Sequence, residues 1–175
     1  MSARIDRGPT RLGSRVAIVL AAVAVLLAAL TSVTGLSITA ISATAFGFGT
    51  IRGSRRWSNA GALGIGGGLL VGAAAGAPVE PVMLGMVATV VAWDVGEHAT
   101  SLGEQVGSET RTVRSEVVHL TASVAVGAGG ATVGYVVFRT ATGGRPTAAL
   151  AMLLFGVIVL LTALRFVQPS TPAVR

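Results

Sequence analysis

The chain has 175 residues, of which 52% are hydrophobic and only 11% charged, against about 25% charged in an average soluble domain. A water-soluble fold of this length would be one domain with a polar surface to cover, and the ionisable residues are too few and too clustered to cover it. All 13 basic residues are arginine and cysteine is absent, which excludes disulfides, thiolate metal sites and cysteine nucleophiles, and the formal charge of +6 rests on arginines that flank apolar runs, as membrane orientation requires, rather than on a nucleic-acid surface.

These features predict an all-α integral membrane protein, a single transmembrane helical domain over residues 1–175 with six spans. Residues 16–33 form the first span and carry no charge. Arg4, Arg7, Arg11 and Arg15 precede it in the manner of a signal peptide. The run is longer than a signal's apolar region, however, and the later spans favour a retained helix. Gly35 offers a break, after which residues 36–51 form a second, more polar span. One unbroken helix over 16–51 would run about 54 Å, too long to cross a core of about 30 Å without a turn.

A short basic loop with Arg52, Arg55, Arg56 and Trp57 leads to the third span, residues 60–77. Pro78-Val79-Glu80-Pro81 forces the next turn, because neither proline has a backbone donor. The fourth span is 82–93, a polar connector occupies 94–116, the fifth span is 117–138, and the sixth, 147–166, follows a turn-rich stretch.

An even number of spans puts both termini on one side, together with the basic loop and the connector. That side holds Arg4, Arg7, Arg11, Arg15, Arg52, Arg55, Arg56, Arg111, Arg114, Arg165 and Arg175, leaving only Arg139 and Arg145 opposite. By the positive-inside rule both termini are expected in the cytoplasm, with the protein in the cell membrane. Four spans, with a non-crossing segment among the weaker ones, is the competing count. Dropping 36–51 alone would place Arg52, Arg55 and Arg56 outside.

The connector is an acidic island: Asp94, Glu97, Glu104, Glu109 and Glu116 against Arg111 and Arg114. Val95, Ala99, Leu102, Val106, Val113 and Val117 recur at helical intervals. Gly107-Ser108 can end one helix and cap the next. The pattern predicts that spans four and five continue as a helical hairpin, with Glu104 facing Arg111 and Ser101 facing Arg114. Asp94, Glu97, His98, Glu104, Arg111, Arg114 and Glu116 are its candidate partner-binding residues.

Trp93-Asp94-Val95-Gly96-Glu97, Leu102-Gly103-Glu104-Gln105 and Arg114-x-Glu116-x-x-His119 together resemble an uncharacterised family of small haloarchaeal membrane proteins. Val33-Thr34-Gly35 and Arg52-Gly53-Ser54-Arg55-Arg56 extend the resemblance over most of the chain. The resemblance implies an archaeal cell membrane. It also implies an accessory role in an AAA ATPase-associated system, since that family's genes tend to lie near MoxR-type ATPases and von Willebrand A-like proteins. It supplies no catalytic residue.

Glu116-x-x-His119 has the spacing used in di-iron bundles, but such a site takes two copies and two further carboxylates. Only Glu97-His98 and Glu104 are at hand, so no metal ligand and no cofactor are expected. No nucleophile elbow accompanies the two histidines. Gly64-Ile65-Gly66-Gly67-Gly68 lacks the lysine of a phosphate loop. Gly64, Gly68, Gly72 and Gly76 recur every fourth residue and predict a groove for close helix contact, with Ser123, Gly127 and Ala131 as a counterpart in span five. Read this way, the spans carry no charge away from their ends, which counts against a pump.

The expected function is that of a non-enzymatic accessory or scaffold subunit that binds a partner protein through residues 94–116. A small channel or transporter for an uncharged solute is the alternative, and a metal-dependent membrane enzyme the third reading.

Overall fold

The computed structural model describes residues 8–106 and 113–141. Among these residues there are five α-helices and no strand: α1 (Arg11–Ala28), α2 (Val33–Arg52), α3 (Arg55–Ala74), α4 (Val79–Val106) and α5 (Val113–Ala141). The 147–166 span, Gly107-Ser108 and Arg111 lie outside the described residues. The chain forms two compact units, Met1–Ala131 and Thr132–Arg175. In the second, the described residues are the last turns of α5, where Arg139 lies 6.0 Å from the centroid of the Tyr135 ring.

The helix ends follow local chemistry. Ser32 caps α2 by accepting a hydrogen bond from Gly35 N at 3.0 Å. Gly53 closes the same helix with φ +66°, the left-handed conformation glycine adopts without strain. Gly76 ends α3 in the same way with φ +86°, and Pro78 follows it, ahead of α4. The turn between α1 and α2 therefore falls at 29–32 rather than at Gly35, which lies inside α2. The missing Cβ of Gly35 serves packing instead: a Cβ there would lie 2.7 Å from Gly68 O.

In the first unit α1, α2, α3 and α4 form a ring in which each helix packs on its two neighbours, most closely α2 on α3 and α1 on α4. Small residues make both close seams. Ala17, Ala21, Ala24 and Ala28 of α1 are buried, at intervals of one helical turn, and so are Ala88, Val91, Ala92, Val95 and Ala99 of α4. Gly13 packs directly on Ala99. In the other seam Gly61 lies against the Phe46 backbone, Gly64 against Ser42, Gly68 against Thr39 and Gly35, and Gly72 against Thr31. Gly76 has no neighbour that its Cβ would meet and takes no part in this seam; its positive φ is what the chain uses. Phe46, Ile65 and Leu69 fill the centre and are fully buried.

The outside of the bundle is as apolar as its inside. Val19, Leu26, Ile41, Leu63 and Val126 are all more than 60% exposed. In water such surfaces would be an aggregation hazard, whereas in a bilayer they face lipid and small residues mediate helix contact. Four described helices are long and apolar enough to cross a membrane: α1, α2, α4 and α5. The protein is a membrane-embedded helical bundle. With Gly61, Gly64, Gly66, Gly67, Gly68 and Gly72 in one helix, α3 falls short of that hydropathy.

Two features of α4 differ from the sequence expectation. Helix α4 begins at Val79 rather than at 82, and its expected continuation through residues 94–106 packs on α1 and α2 instead of leaving the bundle, so Asp94 stands inside a 28-residue helix. A Cβ on Gly96, two residues on, would lie 3.6 Å from Ala17 and Phe46, which places Asp94 level with the apolar run of α1 rather than beyond its end. The stripe Val95 and Ala99 is also covered by α1, while Val113 and Val117 of α5 remain about half exposed. The apolar stripe therefore serves the α1–α4 seam.

Candidate functional site

The polar residues of α4 and α5 meet where the two helices run antiparallel. Asp94 and His98 are one turn apart on α4, and Glu116, His119 and Ser123 lie on one face of α5. Ser123 Oγ donates to Asp94 Oδ2, and its hydroxyl also lies 3.0 Å from His119 O. His119 Nε2 is 2.8 Å from the same Asp94 oxygen. The two atoms are within ion-pair distance, but no aligned hydrogen bond joins them. The His98 and His119 rings stack 3.9 Å apart at an interplanar angle of 13°. His98 Nε2 is buried without a hydrogen-bond partner among the described residues. One turn further along, a Cβ on Gly127 would lie 3.2 Å from Val87 and 3.4 Å from Val91, so Ser123 and Gly127 belong to the α4–α5 contact. Ala131 is half-buried on the same face.

Glu116 is buried and accepts a hydrogen bond from Thr10 Oγ1 at 3.0 Å. Thr10 N also donates to Ala99 O at 3.1 Å. The residue that begins α1 thus ties α1 to both α4 and α5. Its hydroxyl is given to Glu116 instead of capping its own helix. Gly103 admits this segment, because its position lies against the backbone of Gly8 and Pro9.

A third group sits on the surface. Arg55, at the start of α3, pairs with Glu97 at 2.8 Å and Glu104 at 3.1 Å, and donates to Ser101 Oγ at 3.2 Å. One guanidinium thereby spans two turns of α4. Glu104 has Arg55 as its partner, and so does Ser101; Arg114 is exposed. Glu97 and His98 diverge, the first toward Arg55 and the second toward His119. Glu116 and His119 likewise go to different partners, and no three His, Asp or Glu among the described residues are placed to hold a metal ion.

The segment 94–106 is thus tied to α1, α3 and α5 through its own side chains. Residues 7–161 match DUF7519, a family of unknown function. The chain belongs to that family. No curated protein and no solved structure matches it. The DUF7519 match takes in all five described helices and every residue of the α4–α5 cluster. Thr10 and Arg55 are the participants that sequence reading missed. Nothing in the local sequence marks Thr10, while the i, i+4, i+7 spacing of Glu97, Ser101 and Glu104 could have signalled one shared cationic partner.

Proposed function

We propose that this DUF7519 protein is a non-enzymatic, six-span accessory or scaffold subunit of an archaeal cell membrane that docks a partner protein on the charged end of its bundle. The gathering of charge supports this reading. Arg11, Arg15, Arg52, Arg55, Arg56, Glu104, Arg114 and Glu116 stand in the end turns of their helices, with Glu97 drawn to them by Arg55, and the Thr10, Glu116 and Arg55 contacts join these ends. The turns at 29–32 and 75–78 carry no charge. Positive-inside orientation puts the charged end and both termini in the cytoplasm. An AAA ATPase-associated system is the partner class that the family resemblance implies. On this reading α4 and α5 are the arms of a helical hairpin; spin labels at positions 101 and 114 should lie within about 20 Å, twice a usual interhelical spacing, and a longer distance rejects the hairpin.

The Arg55–Glu97–Glu104 group is solvent-facing, so it contributes only about 0–1 kcal/mol per pair to stability. Glu104→Arg should therefore leave the melting temperature of the purified protein nearly unchanged while reversing the local field. A photoreactive residue at position 105 should cross-link one defined protein in native membranes, and Glu97→Arg with Glu104→Arg should abolish that adduct. An adduct unaffected by the double reversal removes the docking proposal.

One observation favours the second reading, a small channel or transporter for an uncharged solute. Asp94, His98 and His119 lie along otherwise apolar helices, and ionisable groups so placed commonly mark a path through a membrane protein. Reconstituted liposomes should then show solute flux that Asp94→Asn reduces; flux equal to that of empty liposomes rejects this reading.

A further inference from the structure

A groove of about 480 Å³ runs along the outside of the bundle between α3 and α4, within the range of roughly 300–1,000 Å³ common for small-molecule sites. Its walls are Leu63, Gly66, Gly67 and Leu70 of α3 with Met86 and Val90 of α4. Gly67 leaves the floor open, since a Cβ there would meet nothing within 4 Å. Leu63, Leu70 and Val90 are each more than half exposed, so the groove faces the surrounding hydrocarbon.

The groove has a polar end, and it is the charged end of the bundle. There Trp93 Nε1 donates to Asn59 Oδ1 at 2.7 Å and closes the apolar channel. With Oδ1 engaged, the Asn59 amide nitrogen keeps two donors. Arg56 lies one turn before Asn59 on the face that continues through Leu63, Gly67 and Leu70. Side chains on a helix tilt toward its N-terminus, which carries the exposed Arg56 guanidinium outward past Asn59. Arg55 is neutralised by Glu97 and Glu104, whereas Arg56 has no acidic partner among the described residues.

An apolar slot with an amide and an uncompensated guanidinium at one mouth matches an amphiphile with a hydrocarbon chain and an anionic head. We infer that the α3–α4 groove binds an anionic phospholipid of the surrounding membrane, its chain along Gly67 and its phosphate at Arg56 and Asn59. Lysine and arginine at such a boundary attract anionic lipid headgroups. This inference does not depend on the partner protein.

The test uses Trp93 as reporter. The chain has two tryptophans, so Trp57→Phe leaves one, in the full-length protein reconstituted into phosphatidylcholine vesicles. Brominated phosphatidylglycerol should quench Trp93 at a mole fraction about fivefold lower than brominated phosphatidylcholine, the factor expected from one arginine at an anionic surface. Arg56→Gln should bring the two lipids to equal quenching. Gly67→Leu should reduce quenching by both without lowering the melting temperature. Equal quenching by the two lipids in the Trp57→Phe protein overturns the inference, as does a preference that survives Arg56→Gln. Absence of quenching by either lipid means that a protein helix or a second copy fills the groove, and also overturns it.

Discussion

Gly68→Leu is expected to destabilise the bundle severely, whereas Gly67→Leu, one residue earlier on the same helix, is expected to melt like the parent. A Cβ on Gly68 would lie 2.7 Å from Gly35 O and 2.8 Å from Thr39 N, so the obstacle is the backbone of α2 and no side-chain rotation relieves it. Helices α2 and α3 must separate along the seam that also holds Gly61, Gly64 and Gly72. Overpacking in a closed core costs roughly 1–3 kcal/mol, and more where backbone must shift. At Gly67 the same substitution meets open space, and replacing a helical glycine contributes up to about 1 kcal/mol in its favour. Thermal unfolding of both variants in one detergent is the measurement. Equal melting of the Gly68→Leu variant and the parent would mean that α2 and α3 do not approach as closely as described.

Asp94→Ala should release α5 from α4. The carboxylate is what Ser123 Oγ and His119 Nε2 both contact across the two helices, and its loss leaves Ser123 only His119 O, an acceptor on its own helix. A hydrogen bond to a charged group contributes about 1.5–3 kcal/mol, and this one is the hydrogen bond that links α5 to α4 at Asp94. Asp94→Asn keeps an acceptor for Ser123 and removes the charge near His119, so it should fall between alanine and the parent. Spin labels at positions 90 and 126, exposed sites on α4 and α5, should report a broadened and longer distance in Asp94→Ala. A distribution identical to the parent's would show that the cluster does not hold the helices together.

The membrane class and most helices were legible because lipid exposure is written directly into composition and apolar runs. Helix ends were less so. The first span, read as 16–33, begins at Arg11 because hydropathy falls at Arg15 while helical backbone bonding does not. The same gap hid the place of Asp94: the helical continuation was readable, but a charge in the sequence looks like the end of a span, whereas Asp94 and Glu97 find lateral partners on α5 and α3. Local spacing also put Gly76 in the glycine groove, where only its backbone angle distinguishes it. At the candidate site, the one-face placement of Glu116 and His119 was readable. Their partners Thr10 and Asp94 were not, since they come from other helices and carry no local signature.

The central claim is a bundle that crosses the membrane with its charged end in the cytoplasm, and thiol accessibility tests it most directly. The native chain has no cysteine, so single cysteines report without background. Ser58 is buried and unsuited, while Gln105, Arg114 and Ala75 are exposed. In intact cells an impermeant maleimide should label Ala75→Cys in the turn between α3 and α4, and should label Gln105→Cys and Arg114→Cys only after the membrane is opened. Labelling of Gln105→Cys or Arg114→Cys in intact cells, or of all three alike, would contradict the account.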